Sequence, residues 1–143
     1  MGGMRPTDAR AATPALTRQM SGLALLFLTS GVVHLVRPEV MQPMIPRALP
    51  APRQLVYVSG FAELACAAGL LSPRTRRLAG WGSAALLLLV LPANVQMAAT
   101  AHKRAQRDTS STSRQAIRVA TLARLPLQLP LIRTALKAAG RLR

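Results

Sequence analysis

The sequence predicts an all-α protein, a four-helix transmembrane bundle, and three observations carry that prediction. Four long, largely apolar stretches are separated by short segments rich in Arg, Pro or polar residues. Half of the 143 residues are apolar, yet only four are aromatic: Phe27, Tyr57, Phe61 and Trp81. Leu, Ala and Gly take their place, as closely packed membrane helices require. The formal charge of +15 sits beside the apolar runs rather than within them. Lys and Arg occupy such flanks because they meet anionic headgroups there. The same charge could suggest nucleic acid, but no aromatic side chains alternate with the basic ones as a stacking platform would need. Nucleic acid is therefore not an expected partner; the lipid bilayer is.

Residues 1–18 read as a disordered basic leader with Arg5, Arg10 and Arg18. The apolar run behind them is too long for a signal peptide and ends in no clean cleavage site, so it reads as an uncleaved first span over residues 19–36. Residues 37–53 hold five prolines, through which no regular helix runs, and read as a loop on the membrane surface. The Met41 and Met44 spacing resembles that of a soft-metal ligand pair, but with no Cys or nearby His it reads as packing.

The second span, residues 54–73, is 20 residues long and has a single charge, Glu63, at its middle. Ser59, Gly60, Glu63, Cys66 and Ala67 share one helix face, so Glu63 turns toward a neighbouring helix. Cys66 is the chain's one cysteine, which excludes an internal disulfide and a CxxC redox pair. The basic turn at residues 72–77 places Arg74, Arg76 and Arg77 at one membrane face.

The third span covers residues 78–102. Pro92 inside it deprives the Leu88 carbonyl of its donor, and Asn94 is the candidate to satisfy that carbonyl. Residues 103–114 read as an exposed loop. Residues 116–139 contain Arg124, Pro126 and Pro130, and two readings fit them: an interfacial amphipathic helix or a fourth span. A basic tail closes the chain at 140–143.

With four spans, one side collects Arg5, Arg10, Arg18, Arg74, Arg76, Arg77, Arg133, Lys137, Arg141 and Arg143, ten in all. The other collects eight: Arg37, Arg47, Arg53, Lys103, Arg104, Arg107, Arg114 and Arg118. The positive-inside rule then puts both termini in the cytoplasm. Helix rise places His34 roughly 3 Å, Asn94 roughly 10 Å, and Glu63 and Arg124 roughly 14 Å below the opposite face. His34, Glu63, Asn94, Arg124 and Gln128 thus form a candidate polar cluster in one half of the bilayer. Glu63 and Arg124 are expected to pair as acid and base, either to fix helix register or to hold a ligand. His34, close to the interface, reads as a solvated or capping residue. No catalytic constellation, haem ligand pair or metal cluster is recognisable.

Several short motifs in order resemble the DoxX-like family of small integral membrane proteins. They are GVVHLVRPE at 31–39, LVYVSGFAELACAAGLL at 55–71, SPRTRRLAGWG at 72–82, LPANVQMA at 91–98 and ARLPLQ at 123–128. The Pro-rich loop between the first two carries MIP and LP. The resemblance implies a four-helix membrane bundle and favours the fourth span. It also implies that the five polar residues occupy the family's usual polar positions. Sulfur-oxidising members are subunits of a thiosulfate:quinone oxidoreductase, others accompany membrane redox complexes, and many have no assigned activity, including the branch with PAN and RLPLQ motifs that this chain resembles. The expectation is an accessory subunit of a plasma-membrane redox system, with redox proteins as partners and a quinone or other small amphiphile in the polar half. The alternatives are a small proton-linked transporter using Glu63 and a purely structural membrane subunit. The absence of a thiol pair argues against sulfur chemistry itself.

Overall fold

The computed structural model describes residues 13–142, whose regular elements are all helices, with no strand among them. Most of the leader, residues 1–12, lies outside the described residues. Its described end is held in place: Thr17 caps the first helix by accepting a hydrogen bond from the Met20 amide at 3.2 Å.

Helix α1 spans Arg18–Val36 and stops where Arg37 precedes Pro38, a position from which the helical region is sterically disfavoured. A short helix α2 (Pro38–Met41) and a 3-10 turn (Gln42–Met44) follow. Helix α3 runs Pro52–Leu71, with proline at its first position, and stops at Ser72 before Pro73. Helices α4 (Arg76–Leu89) and α5 (Leu91–Arg107) form one helical stretch interrupted at Val90, just ahead of Pro92. The expected third span is therefore longer at both ends than the sequence indicates. The polar loop after it shrinks to residues 108–111. There the Ser110 hydroxyl donates to Asp108 at 2.8 Å and Arg114 lies 3.4 Å away, so the Asp108 carboxyl is held below the usual carboxylate range.

Helix α6 spans Thr112–Ala138 and continues through both Pro126 and Pro130. The sequence suggests interruptions there, but each proline removes only one backbone donor, and a packed helix tolerates that loss. The helix ends in a Schellman motif: Arg141 N–H donates to the Leu136 carbonyl at 2.9 Å and Gly140 N–H to that of Lys137 at 3.0 Å. Gly140 supplies the positive φ of 76°. Arg141 then stacks over Trp81, 5.4 Å from the ring centre.

Three stretches are long and apolar enough to cross a membrane: Arg18–Val36, Pro52–Leu71 and Arg76–Arg107. Much of their apolar surface faces outward, including Leu25, Leu28 and Val32 of α1 and Val58 and Phe61 of α3. A surface of that kind suits lipid, since soluble monomers seldom expose large contiguous apolar areas. The chain is a membrane protein on this evidence. Helix α6, at 27 residues longer than α1 or α3, is not among the three, because Arg114, Arg118, Arg124, Arg133 and Lys137 dilute its apolar run.

The helices pack in a ring: α1 on α3, α3 on α4, and α4 and α5 on α6, with a thinner α1–α6 seam. Two close approaches fix it. A Cβ on Gly31 would stand 2.9 Å from the Gly60 carbonyl oxygen, so α1 and α3 meet backbone to backbone. A Cβ on Gly80 would stand 2.4 Å from the Ala139 nitrogen, which sets the α4–α6 contact. Met20, Leu23, Phe27, Leu70, Leu87 and Ala135 fill an apolar core in the half of the ring nearer the N-terminus of α1.

Arg76 departs from its expected place at the membrane face. It is 4% exposed. Its guanidinium donates to the carbonyls of Leu70 at 2.8 Å, Leu71 at 3.1 Å and Pro14 at 2.8 Å. One side chain thereby satisfies the end of α3 and ties down the segment before α1.

Candidate functional site

The other half of the ring encloses a cavity of about 120 Å3. Its polar wall consists of Ser30 and His34 from α1, Ser59 and Glu63 from α3, Asn94 from α5 and Arg124 from α6. The connector that reads as a surface loop folds inward instead. Met41, Met44 and Ile45 cover the cavity, and Gln96 Nε2 donates to the Ile45 carbonyl at 3.1 Å to hold them there.

Glu63 is 5% exposed. Its partner is His34, whose Nδ1 lies 3.4 Å from Glu63 Oε2. The ion pairs among the described residues are His34–Glu63, Arg37–Glu39 and Arg114–Asp108, so the expected Glu63–Arg124 pair does not form. The cause is the close α1–α3 approach, which sets Gly60 against His34 and brings the imidazole onto the next turn of α3. Arg124 is exposed on α6, across the cavity.

The same crossing draws His34 out of the solvated role its position near a span end suggests. His34 Nδ1 donates to the Ser30 carbonyl at 2.7 Å, and the Ser30 hydroxyl is 3.4 Å from the same nitrogen. One N–H thus faces two Ser30 oxygens and the Glu63 carboxylate. Glu63 Oε2 and Ser59 Oγ are buried without a hydrogen-bond partner among the described residues. Buried carboxylate oxygens are costly to leave in that state.

Asn94 and Gln128 are joined behind the cavity. Asn94 Nδ2 donates to Gln128 Oε1 at 2.9 Å, and Gln128 Nε2 donates to the Leu87 carbonyl. At the Val90 break the Leu87 carbonyl is thus satisfied from α6, while the Leu88 carbonyl accepts from the Val90 N–H rather than from Asn94. Gln128 is buried, and it is the one residue of the five-residue cluster that does not line the cavity. Ser59, which the sequence already places on the Glu63 face, lines it, and so does Ser30, which the sequence left unmarked although it lies one turn before His34.

The arrangement holds donors (His34, Arg124, Asn94) and an acceptor (Glu63) around a space far smaller than a drug-sized pocket of about 300 Å3 or more. It suits one polar head or a proton rather than a whole amphiphile. Among the described residues no group of three or more His, Cys, Asp or Glu is placed to hold a metal.

The model of a domain of unknown function, DUF8561, matches residues 23–139, which include every helix contributing to the cavity. The chain belongs to the DUF8561 family. No curated protein and no solved structure matches it. The DUF8561 match begins inside α1 and ends at the Ala139 cap of α6, so the polar cavity and the apolar core apart from Met20 lie within it.

Proposed function

We propose that this protein is a four-helix bundle in a prokaryotic plasma membrane, with both termini in the cytoplasm, and that its polar cavity binds the head of a quinone. In this reading it is an accessory subunit of a membrane redox system. The observation that carries the reading is the Glu63 carboxylate: buried, facing a cavity, with one oxygen that has the His34 ion pair but no hydrogen bond among the described residues. A quinol hydroxyl supplies that donor, and a quinone carbonyl accepts from His34 or Arg124. The tail remains in the surrounding lipid. The likeness to DoxX-like proteins, some of which accompany membrane redox complexes, supports the redox context, while the PAN and RLPLQ motifs are those of the family's branch without an assigned activity. Helix α6, at 27 residues, is about 40 Å long, more than the roughly 30 Å of a hydrocarbon core. Its packing on α4 and α5 supports its role as the fourth span.

Purification in mild detergent, followed by solvent extraction and quinone analysis, tests this. Quinone at a substantial fraction of one per chain, lost in Glu63→Gln, supports the reading; quinone at the detergent background in the wild type contradicts it.

One observation favours a second reading. A carboxylate and an imidazole 3.4 Å apart can exchange a proton, as a proton-linked transporter requires. Uptake into proteoliposomes driven by a proton gradient, abolished in Glu63→Gln, would select that reading. Loss of stability without loss of any binding or uptake would leave a purely structural pair.

A further inference from the structure

Beneath the connector, α5 and α6 leave a second cavity, of about 820 Å3, that the polar site does not use. Val40, Met44, Met97, Ala101 and Ile117 give it apolar walls, and three guanidinium groups, Arg104, Arg107 and Arg114, join them. The sequence builds this gradient twice. On α5, Met97, Ala101, Arg104 and Arg107 follow one another at helical spacings of four, three and three residues and share a face. On α6, Arg114, Ile117 and Thr121 do the same in the opposite chain direction. Helix rise puts Arg107 roughly 15 Å beyond Met97, so the charges gather at one end and the apolar wall at the other.

The charges there are mostly uncompensated. Arg114 shares Asp108, while Arg104 and Arg107 make no ion pair among the described residues. All three are exposed. A trough with apolar sides and three guanidinium groups at its mouth, one of them shared with Asp108, matches an amphiphile with an anionic head. The volume falls within the usual range of ligand sites, about 300–1,000 Å3.

We propose that this groove seats an acyl chain of an anionic phospholipid, with the phosphate held by Arg104, Arg107 and Arg114. Guanidinium groups bind phosphate oxygens through paired N–H donors, and juxtamembrane Arg residues draw anionic lipid from the leaflet. A neutral lipid fills the trough but adds no net charge to match the arginines. Met44 and Met97 form the wall shared with the small polar cavity, so the two sites are neighbours with different ligands.

The test is native mass spectrometry of the full chain offered equimolar phosphatidylglycerol and phosphatidylcholine with identical acyl chains. The wild type retains phosphatidylglycerol about tenfold or more over phosphatidylcholine, and excess inorganic phosphate does not displace it. The triple variant Arg104→Gln/Arg107→Gln/Arg114→Gln loses the preference. The triple variant Arg37→Gln/Arg47→Gln/Arg74→Gln, which removes equal charge elsewhere, keeps it. Ile117→Trp fills the trough without changing charge and lowers retention, which keeps the proposal open to refutation if the first triple variant fails to fold. Equal retention of the two lipids by the wild type overturns the proposal. So does displacement by phosphate alone, equal loss in both triple variants, or full retention by Ile117→Trp.

Discussion

His34 Nδ1 stands 3.4 Å from Glu63 Oε2, inside a ring of helices whose apolar core lies at the other end. The contact depends on glycine. Without the Gly31–Gly60 approach, α1 would ride higher on α3 and the imidazole would not reach the carboxylate.

The pair should be energetically coupled. Both side chains are largely buried, so a double-mutant cycle with His34→Ala and Glu63→Ala is expected to give a coupling of about 1 kcal/mol or more. The corresponding cycle for Glu63 and Arg124 should give less. Unfolding in detergent micelles measures both. A larger coupling to Arg124 would reverse the assignment.

The α4–α6 crossing should not tolerate a methyl group. Gly80→Ala places a Cβ 2.7 Å from the Ala135 carbonyl oxygen, a backbone atom that cannot swing aside. The expected cost is about 1–3 kcal/mol, as for other overpacked sites. Gly22→Ala is the control: nothing lies within 4 Å of its added Cβ, and alanine is the better helix former. A lowered Tm for Gly80→Ala beside an unchanged or raised one for Gly22→Ala is the predicted pattern.

Arg76 and Arg74 should behave differently although they are two residues apart. Arg76→Gln gives up the charged bonds to the end of α3 and is expected to cost about 2–3 kcal/mol. Arg74→Gln, on the exposed turn, should fall within about 0.5 kcal/mol of the wild type. Equal effects would show that Arg76 acts only as surface charge.

The helix limits were largely legible because local chemistry sets them: Pro38, Pro52 and Pro73 punctuate α1 and α3 within two residues of where the sequence suggests. Glu63, Asn94 and Arg124 were legible as cluster members because a polar group in an apolar run stands out wherever the helices pack. What stayed hidden depends on packing between elements. Charge counting cannot tell that Arg76 turns inward while Arg74 and Arg77 share its turn. Depth along a helix puts Glu63 level with Arg124, but the rotation of α1 against α3 gives Glu63 to His34. Five prolines forbid a long helix in the connector, yet nothing in their spacing says that Met41, Met44 and Ile45 fold over the cavity.

The central claim is that the cavity at Glu63 receives the head of a quinone. Photolabelling with an azido-quinone in membranes, followed by peptide mapping, tests it most directly. Labelling is expected on α1 near His34 and on α3 between Val56 and Glu63, competed by unmodified quinone and lost in Glu63→Gln. Labelling confined to the groove at Arg104 and Arg107, or labelling that quinone does not compete, would contradict it.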